Sequence, residues 1–178
     1  FSGHEGEKSS SFNYSGVLTD SLDRPFIEMG SIRQNLSDAE NQIHTQGTQG
    51  KFEGTVIFTP DCLGSMLSEL LDNYVADGVL LDGTSQWKDS LGKQVADDRV
   101  TLSIKPLDPR VICGERYTAE GFPSQDYDLI RSGVLQGFML SNYAANRTGK
   151  KRAPNTSGSM VMAPGTQTLS QMIAATKQ

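Results

Sequence analysis

The stretch Gly54-Thr55-Val56-Ile57-Phe58-Thr59-Pro60-Asp61-Cys62-Leu63-Gly64-Ser65-Met66-Leu67-Ser68-Glu69-Leu70-Leu71-Asp72-Asn73-Tyr74 decides the fold. Its first six residues are a continuous β-branched and aromatic run, which predicts a strand over 54–59 buried on both faces. Pro60 ends it. Thr59 is placed to cap a helix and Pro60 to occupy its first turn, where a missing N–H costs nothing. Beyond them Leu63, Met66, Leu67, Leu70, Leu71 and Tyr74 recur at three-and-four spacing, the signature of an amphipathic helix. One strong helix is therefore expected near 60–76, from Pro60 to about Tyr74, with Leu63, Leu67, Leu70 and Leu71 buried.

Upstream, the chain is polar and Ser/Gly-rich, with short alternating stretches at 12–18 and 26–32 that read as strands or strand-like arms. Ser37 with Glu40 forms a capping-box pattern, and Leu36 precedes it as a hydrophobic staple, so a short helix is expected over 37–46. A glycine-rich gap at 47–50 separates it from the deciding stretch.

Downstream, strands are expected at 79–81, 100–104, 126–130 and 134–140, the last two joined as a hairpin by Arg131-Ser132-Gly133. Residues 141–148 read as a short helix stopped by Gly149. A basic, flexible loop is expected over 150–159, then a strand over 160–163 and a helix from about Leu169 capped by Thr168. Strands and helices do not alternate strictly, which predicts an α+β protein with a mixed or antiparallel sheet.

Composition narrows the chemistry. With a net charge of −5 over 178 residues there is no electrostatic reason to bind a polyanion, so no nucleic-acid partner is expected. No apolar run is long enough for a membrane span, and the first residues lack the order of a signal peptide, so no membrane partner is expected. Cys62 and Cys113 are too few and too far apart for a disulfide framework or a paired-cysteine zinc site, which suits a cytoplasmic protein with reduced thiols. The chain opens without methionine and stops in what reads as an unfinished helix, as expected of an internal fragment.

Candidate catalytic groups are sparse. His4 and His44 are far apart in sequence and no Gly-x-Ser-x-Gly elbow accompanies them. Cys62 lies in the first helical turn, where the helix dipole favours a thiolate, although a small buried hydrophobe is the plainer reading. Asp97-Asp98 and Asp126 with Asp128 read as solvated turns rather than an acid–base pair. No phosphate-cradling Gly-rich loop is present. Trp87, the single tryptophan, reads as a core anchor.

Several segments together resemble the TldD/PmbA proteins, also called modulators of DNA gyrase. They are Phe52-Glu53-Gly54-Thr55-Val56-Ile57-Phe58-Thr59-Pro60, Asp82-Gly83-Thr84-Ser85, Ser90-Leu91-Gly92-Lys93-Gln94-Val95 and Glu115-Arg116-Tyr117-Thr118-Ala119-Glu120-Gly121. Leu129-Ile130-Arg131-Ser132-Gly133-Val134-Leu135-Gln136-Gly137-Phe138-Met139-Leu140 and Tyr143-Ala144-Ala145-Asn146-Arg147-Thr148-Gly149 complete the set. The PmbA, or TldE-like, branch fits best.

The resemblance implies that residues 1–50 close an N-terminal α+β part and that 51–178 begin a C-terminal β-rich domain, with both ends of the parent missing. It also implies a heterodimer in which a TldD-like catalytic subunit binds zinc through a His-Glu-x-x-x-His helix and cleaves unfolded peptides. At that motif position this sequence reads Pro60-Asp61-Cys62-Leu63-Gly64-Ser65: proline and serine stand where the histidines would be, and Asp61 where the glutamate would be. The resemblance thus implies a subunit with no metal or catalytic residue of its own, zinc being expected in the partner. Lys150, Lys151 and Arg152 are the candidates for a peptide channel or subunit interface. Two other readings are a peptidase using ligands outside the usual motif, or a nucleophile such as Cys62, and a modulator that contacts DNA gyrase directly.

Overall fold

The computed structural model describes residues 1–47, 50–51 and 53–176. Thr48 and Gln49 of the glycine-rich gap, Phe52, the side chain of Asp61, and the terminal Lys177 and Gln178 lie outside the described residues. The chain divides into two units, Phe1–Gly54 and Thr55–Gln178.

The first unit is built on little apolar burial. Strands β1 (His4–Glu5) and β2 (Lys8–Ser9) pair antiparallel, with Gly6 in the turn at φ 61°. A single 3-10 turn, Phe26–Glu28, leads to helix α1 (Ile32–Asn41). Among the described residues of this unit, Met29 before the helix and Ala39 within it are the buried apolar ones. The arms expected at 12–18 and 26–32 are not strands: 12–18 carries no regular structure, and 26–32 holds the 3-10 turn and the start of α1. Alternation alone does not make a strand without a neighbour to complete the ladder, and Phe12 and Tyr14 stand exposed. The helix begins at Ile32, not at Ser37, which sits exposed inside it. An exposed mid-helix serine is tolerated, and starting earlier places Ile32 in the same helix as the buried Ala39.

The second unit holds the main core. Helix α2 (Pro60–Tyr74) starts and stops where the periodicity predicts, with Pro60 in its first turn. Thr59 occupies the N-cap position in extended conformation but makes no side-chain cap hydrogen bond. Burial along α2 grows toward its C-terminal end: Leu71 is buried, Leu67 and Leu70 are half-buried against the core, and Leu63 is half-buried outside it. The residues at 55–59 form no strand, and Val56 and Phe58 are exposed; among the described residues no strand pairs with them. Residues 79–81 belong to helix α3 (Asp77–Leu81), not to a strand. A three-residue apolar run cannot distinguish the two, and here Leu80 is the residue that reaches the core.

Strands β3 (Leu102–Ile104), β4 (Tyr127–Arg131), β5 (Val134–Leu135) and β6 (Met160–Met162) form one sheet in the order β5-β4-β3-β6. Every pairing is antiparallel. Central β3 is buried at all three residues, and its one polar side chain is satisfied by a 2.6 Å hydrogen bond from Ser103 Oγ to Asp128 Oδ1. The β4–β5 turn is made by Ser132 at φ 46° and Gly133 at φ 77°, the two positive φ values that a tight primed hairpin turn demands. Helix α4 (Asn142–Thr148) is capped by the Ser141 hydroxyl and stopped by Gly149 in the left-handed region. Helix α5 (Leu169–Ala175) opens with a complete Thr168–Gln171 capping box and buries no residue. Leu71, Val75, Leu80, Leu102, Ile104, Leu129, Ile130, Leu135, Phe138, Leu140 and Ala144 make one contiguous core from α2, α3, the sheet and α4. This is the α+β, antiparallel arrangement that the element order predicts.

Candidate functional site

The N-terminal turn of α2 is where the resemblance would put a metal. The Thr59 carbonyl accepts from the backbone N of Cys62 and of Leu63, both at 3.0 Å, so the turn is closed by its own main chain. Pro60 has no side-chain donor, and Ser65 is exposed. Cys62 is exposed too, not the small buried hydrophobe that its position suggested. Among the described residues no group of three or more His, Cys, Asp or Glu is placed to hold a metal ion. Zinc needs about three protein donors meeting at one point, whereas Pro60 has no donor atom and the Ser65 hydroxyl is a poor one.

The histidines belong to the first unit. His44 Nε2 lies 2.6 Å from Glu5 Oε2 and His4 Nε2 lies 2.9 Å from Ser2 Oγ, both on exposed side chains. The carboxylates are likewise accounted for. Asp97 holds Arg99 through two oxygens and Asp126 accepts from the Leu107 backbone N. Asp128 is shared between Ser103 and Arg131, and the hydrogen bond from Ser103, followed by the one from Arg131, holds its carboxyl below the usual carboxylate range. Trp87 packs against Tyr74 at 4.5 Å between ring centroids and borders the core.

The basic segment after α4 is different from the flexible loop its composition suggested. Ala153 and Asn155 are buried. Ala153 N donates to Leu140 O at 2.9 Å, Asn155 Nδ2 to Gln125 O at 2.6 Å, and the Tyr127 hydroxyl to Asn155 O at 3.0 Å. Burial pushes the Tyr127 phenol well above its usual range, so it stays a donor. Composition concealed this because the ties run through backbone groups and one asparagine. Lys150, Lys151 and Arg152 all line one cavity of about 470 Å³, between β4, residues 136–138 and residues 149–154. Lys150 Nζ lies 5.0 Å from the centre of the Phe138 ring and donates to Lys88 O at 2.8 Å. Arg152 stacks over Phe122 at 3.9 Å. Sequence reasoning found the cations; it missed Phe138 and Tyr127, whose positions beside them come from strand order rather than from spacing.

The second unit is an α+β arrangement around a four-stranded antiparallel sheet. Residues 50–178 match the family model described as the PmbA/TldA metallopeptidase C-terminal domain. The chain belongs to the TldD/PmbA family. It is 27% identical over 106 residues to the metalloprotease PmbA homolog of Haemophilus influenzae, covering 60% of this chain and 23% of that protein. It is 26% identical over 141 residues to the metalloprotease MJ0996 of Methanocaldococcus jannaschii, covering 73% of this chain and 31% of that one. Among solved structures, TldE from Thermococcus kodakarensis superposes with a TM-score of 0.62 at 20% identity, over 82% of this chain and 36% of that chain. A candidate modulator of DNA gyrase from Bacteroides thetaiotaomicron superposes with a TM-score of 0.70 at 20% identity, over 82% and 33%. The chain thus spans a quarter to a third of the length of these relatives.

Proposed function

We propose that this chain is part of a non-catalytic, PmbA/TldE-like subunit of a cytoplasmic two-subunit TldD/TldE-type zinc metallopeptidase that degrades or matures unfolded peptides. The observation that carries the reading is the opening of α2. The family resemblance puts a His-Glu-x-x-x-His motif there in catalytic subunits, and here Pro60, Cys62 and Ser65 supply no converging donors. Both histidines of the chain, His4 and His44, lie before residue 50. On this reading a TldD-like partner would hold the zinc and supply the chemistry of cleavage.

What this unit contributes is shape and substrate presentation. The four-stranded sheet ends on β6, the edge to which an extended peptide would add as a strand, a mode that gives affinity with little sequence choice. The cavity lined by Lys150, Lys151 and Arg152 is the candidate contact for peptide or for the partner subunit.

The test is reconstitution. The intact protein is mixed with the subunit of its own host that carries the histidine motif, and casein cleavage is followed. Cleavage by the mixture that a chelator abolishes, with none by this protein alone, is the expected result. Undiminished cleavage by the histidine-bearing subunit on its own would remove the need for this one.

A further inference from the structure

We infer that the cavity between β4 and residues 149–154 is a binding site for an acidic peptide segment, one that sets a carboxylate beside an apolar side chain. The inference rests on the peptide-handling reading and narrows it to a substrate class.

The first observation is charge without neutralisation. Lys150, Lys151 and Arg152 are consecutive and all line the cavity, yet none of them forms an ion pair with a carboxylate among the described residues. The cations are held by neutral groups instead. Lys150 rests over Phe138 and donates to a carbonyl; Arg152 rests over Phe122 and donates to Ala153 O at 2.8 Å. An aromatic face orients a cation and leaves its charge in place. The one carboxylate in the lining, Asp128, is already engaged by Ser103 and Arg131. Three cations against one committed carboxylate leave the cavity positive, in a chain whose net charge is −5.

The second observation is the apolar surface beneath those charges. Phe138 and Leu91 both line the cavity; Phe138 is buried and Leu91 is 56% exposed. Covering Leu91 is favourable for an aliphatic or aromatic side chain. A free small anion would leave that surface wet. A nucleic acid would meet the repulsion of the rest of the molecule, whereas a short acidic peptide meets only the local field. The ligand that satisfies charge and surface together carries Asp or Glu next to Leu or Phe.

The backbone that presents the cations is preset. Gly149 turns the chain at φ 69°, and Ala153 and Asn155 are tied to Leu140 and Gln125. Little ordering entropy is left to lose on binding, which is the condition for useful affinity at a shallow site.

The experiment is fluorescence anisotropy on the intact protein, without its partner. The probes are a labelled peptide of alternating leucine and glutamate, its leucine–glutamine and leucine–lysine counterparts, and a thymidine oligonucleotide. The glutamate peptide is expected to bind about tenfold tighter than the glutamine peptide at low salt, with the advantage shrinking as salt rises. Lys151 is exposed and makes no side-chain hydrogen bond among the described residues, so Lys151→Glu will fold; it should weaken the glutamate peptide about fivefold or more. Arg33→Glu, the same charge change on exposed α1, should leave it within about twofold.

Equal affinity for the glutamate and glutamine peptides, an equal loss in both variants, or tighter binding of the oligonucleotide would overturn the assignment. If charge selectivity is absent while partner-dependent casein cleavage persists, the cavity assignment falls and the peptidase-subunit reading stands. If charge-selective binding appears without any partner-dependent cleavage, the reverse holds.

Discussion

Asp77, in the first turn of α3, accepts a 2.9 Å hydrogen bond from the backbone N of Ser141 and a second, shorter one from its hydroxyl, across 64 residues of chain. Ser141 is also the N-cap of α4, its hydroxyl accepting from Ala144 N at 3.2 Å. One half-buried carboxylate thus fixes the start of the helix whose C-terminal end launches the basic segment. Asp77→Ala strands the Ser141 N–H and should cost about 1–3 kcal/mol. Ser141→Ala removes the cap and should cost about 1 kcal/mol. The double variant should lose less than the sum, because both changes break the same bond. Urea unfolding midpoints of the four proteins check this; strict additivity would mean that the two residues do not act together.

Gly133 permits the β4–β5 hairpin to lie against the 94–97 segment. A Cβ there would sit 2.7 Å from Asp97 O and closer still to Ala96 O and Gln94 Nε2, on a backbone at φ 77°. Gly133→Ala should therefore destabilise by more than about 1 kcal/mol. Gly64, within α2, has open space around it, so Gly64→Ala should stabilise by about 0.5–1 kcal/mol. Opposite shifts in melting temperature are the expected outcome.

The burial gradient along α2 sets an order of cost. Leu71 is 6% exposed and belongs to the core, so Leu71→Ala should lose about 2–5 kcal/mol. Leu67 is half-buried at the core margin and Leu63 lies outside the core cluster, so the corresponding variants should lose progressively less. Equal losses at positions 63 and 71 would contradict the placement of the helix.

Asp128 supplies a pH dependence with a definite sign. Its carboxyl is held below the usual range by Ser103 first and Arg131 next. The unfolded chain therefore binds more protons than the folded one just below the ordinary aspartate pKa of about 3.9. The contribution is present above that value and is lost as pH falls toward the folded pKa. Asp97 and Asp108 are lowered by their arginines in the same sense, but they remain in an Asp128→Asn variant, so the difference between the two proteins isolates Asp128. The variant's unfolding midpoint should fall less steeply on acidification; parallel curves would contradict the assignment.

Helix α2 was legible because six apolar residues keep one phase over fifteen positions and a proline marks the start. The β4–β5 hairpin, the stop of α4 and the start of α5 were legible for a related reason: Ser132-Gly133, Gly149 and Thr168 carry their conformational demand in the residue type. The misread segments lack such local determinants. Val56 and Phe58 read as strand yet have no neighbour to pair with, and Val79 with Leu80 reads either way until packing on α4 decides. The cavity was half legible: Lys150, Lys151 and Arg152 are consecutive, whereas Phe138, Tyr127 and Leu91 join them only through the sheet order.

Whether the opening of α2 holds a metal is tested most directly by the zinc content of the intact protein. The protein is purified alone, washed with chelator, equilibrated with limiting zinc and desalted, and its metal is counted by mass spectrometry alongside casein hydrolysis. Substoichiometric zinc and no hydrolysis are predicted, both unchanged by Cys62→Ser. One zinc per chain with hydrolysis that a chelator abolishes would contradict the non-catalytic reading and make this protein a peptidase in its own right.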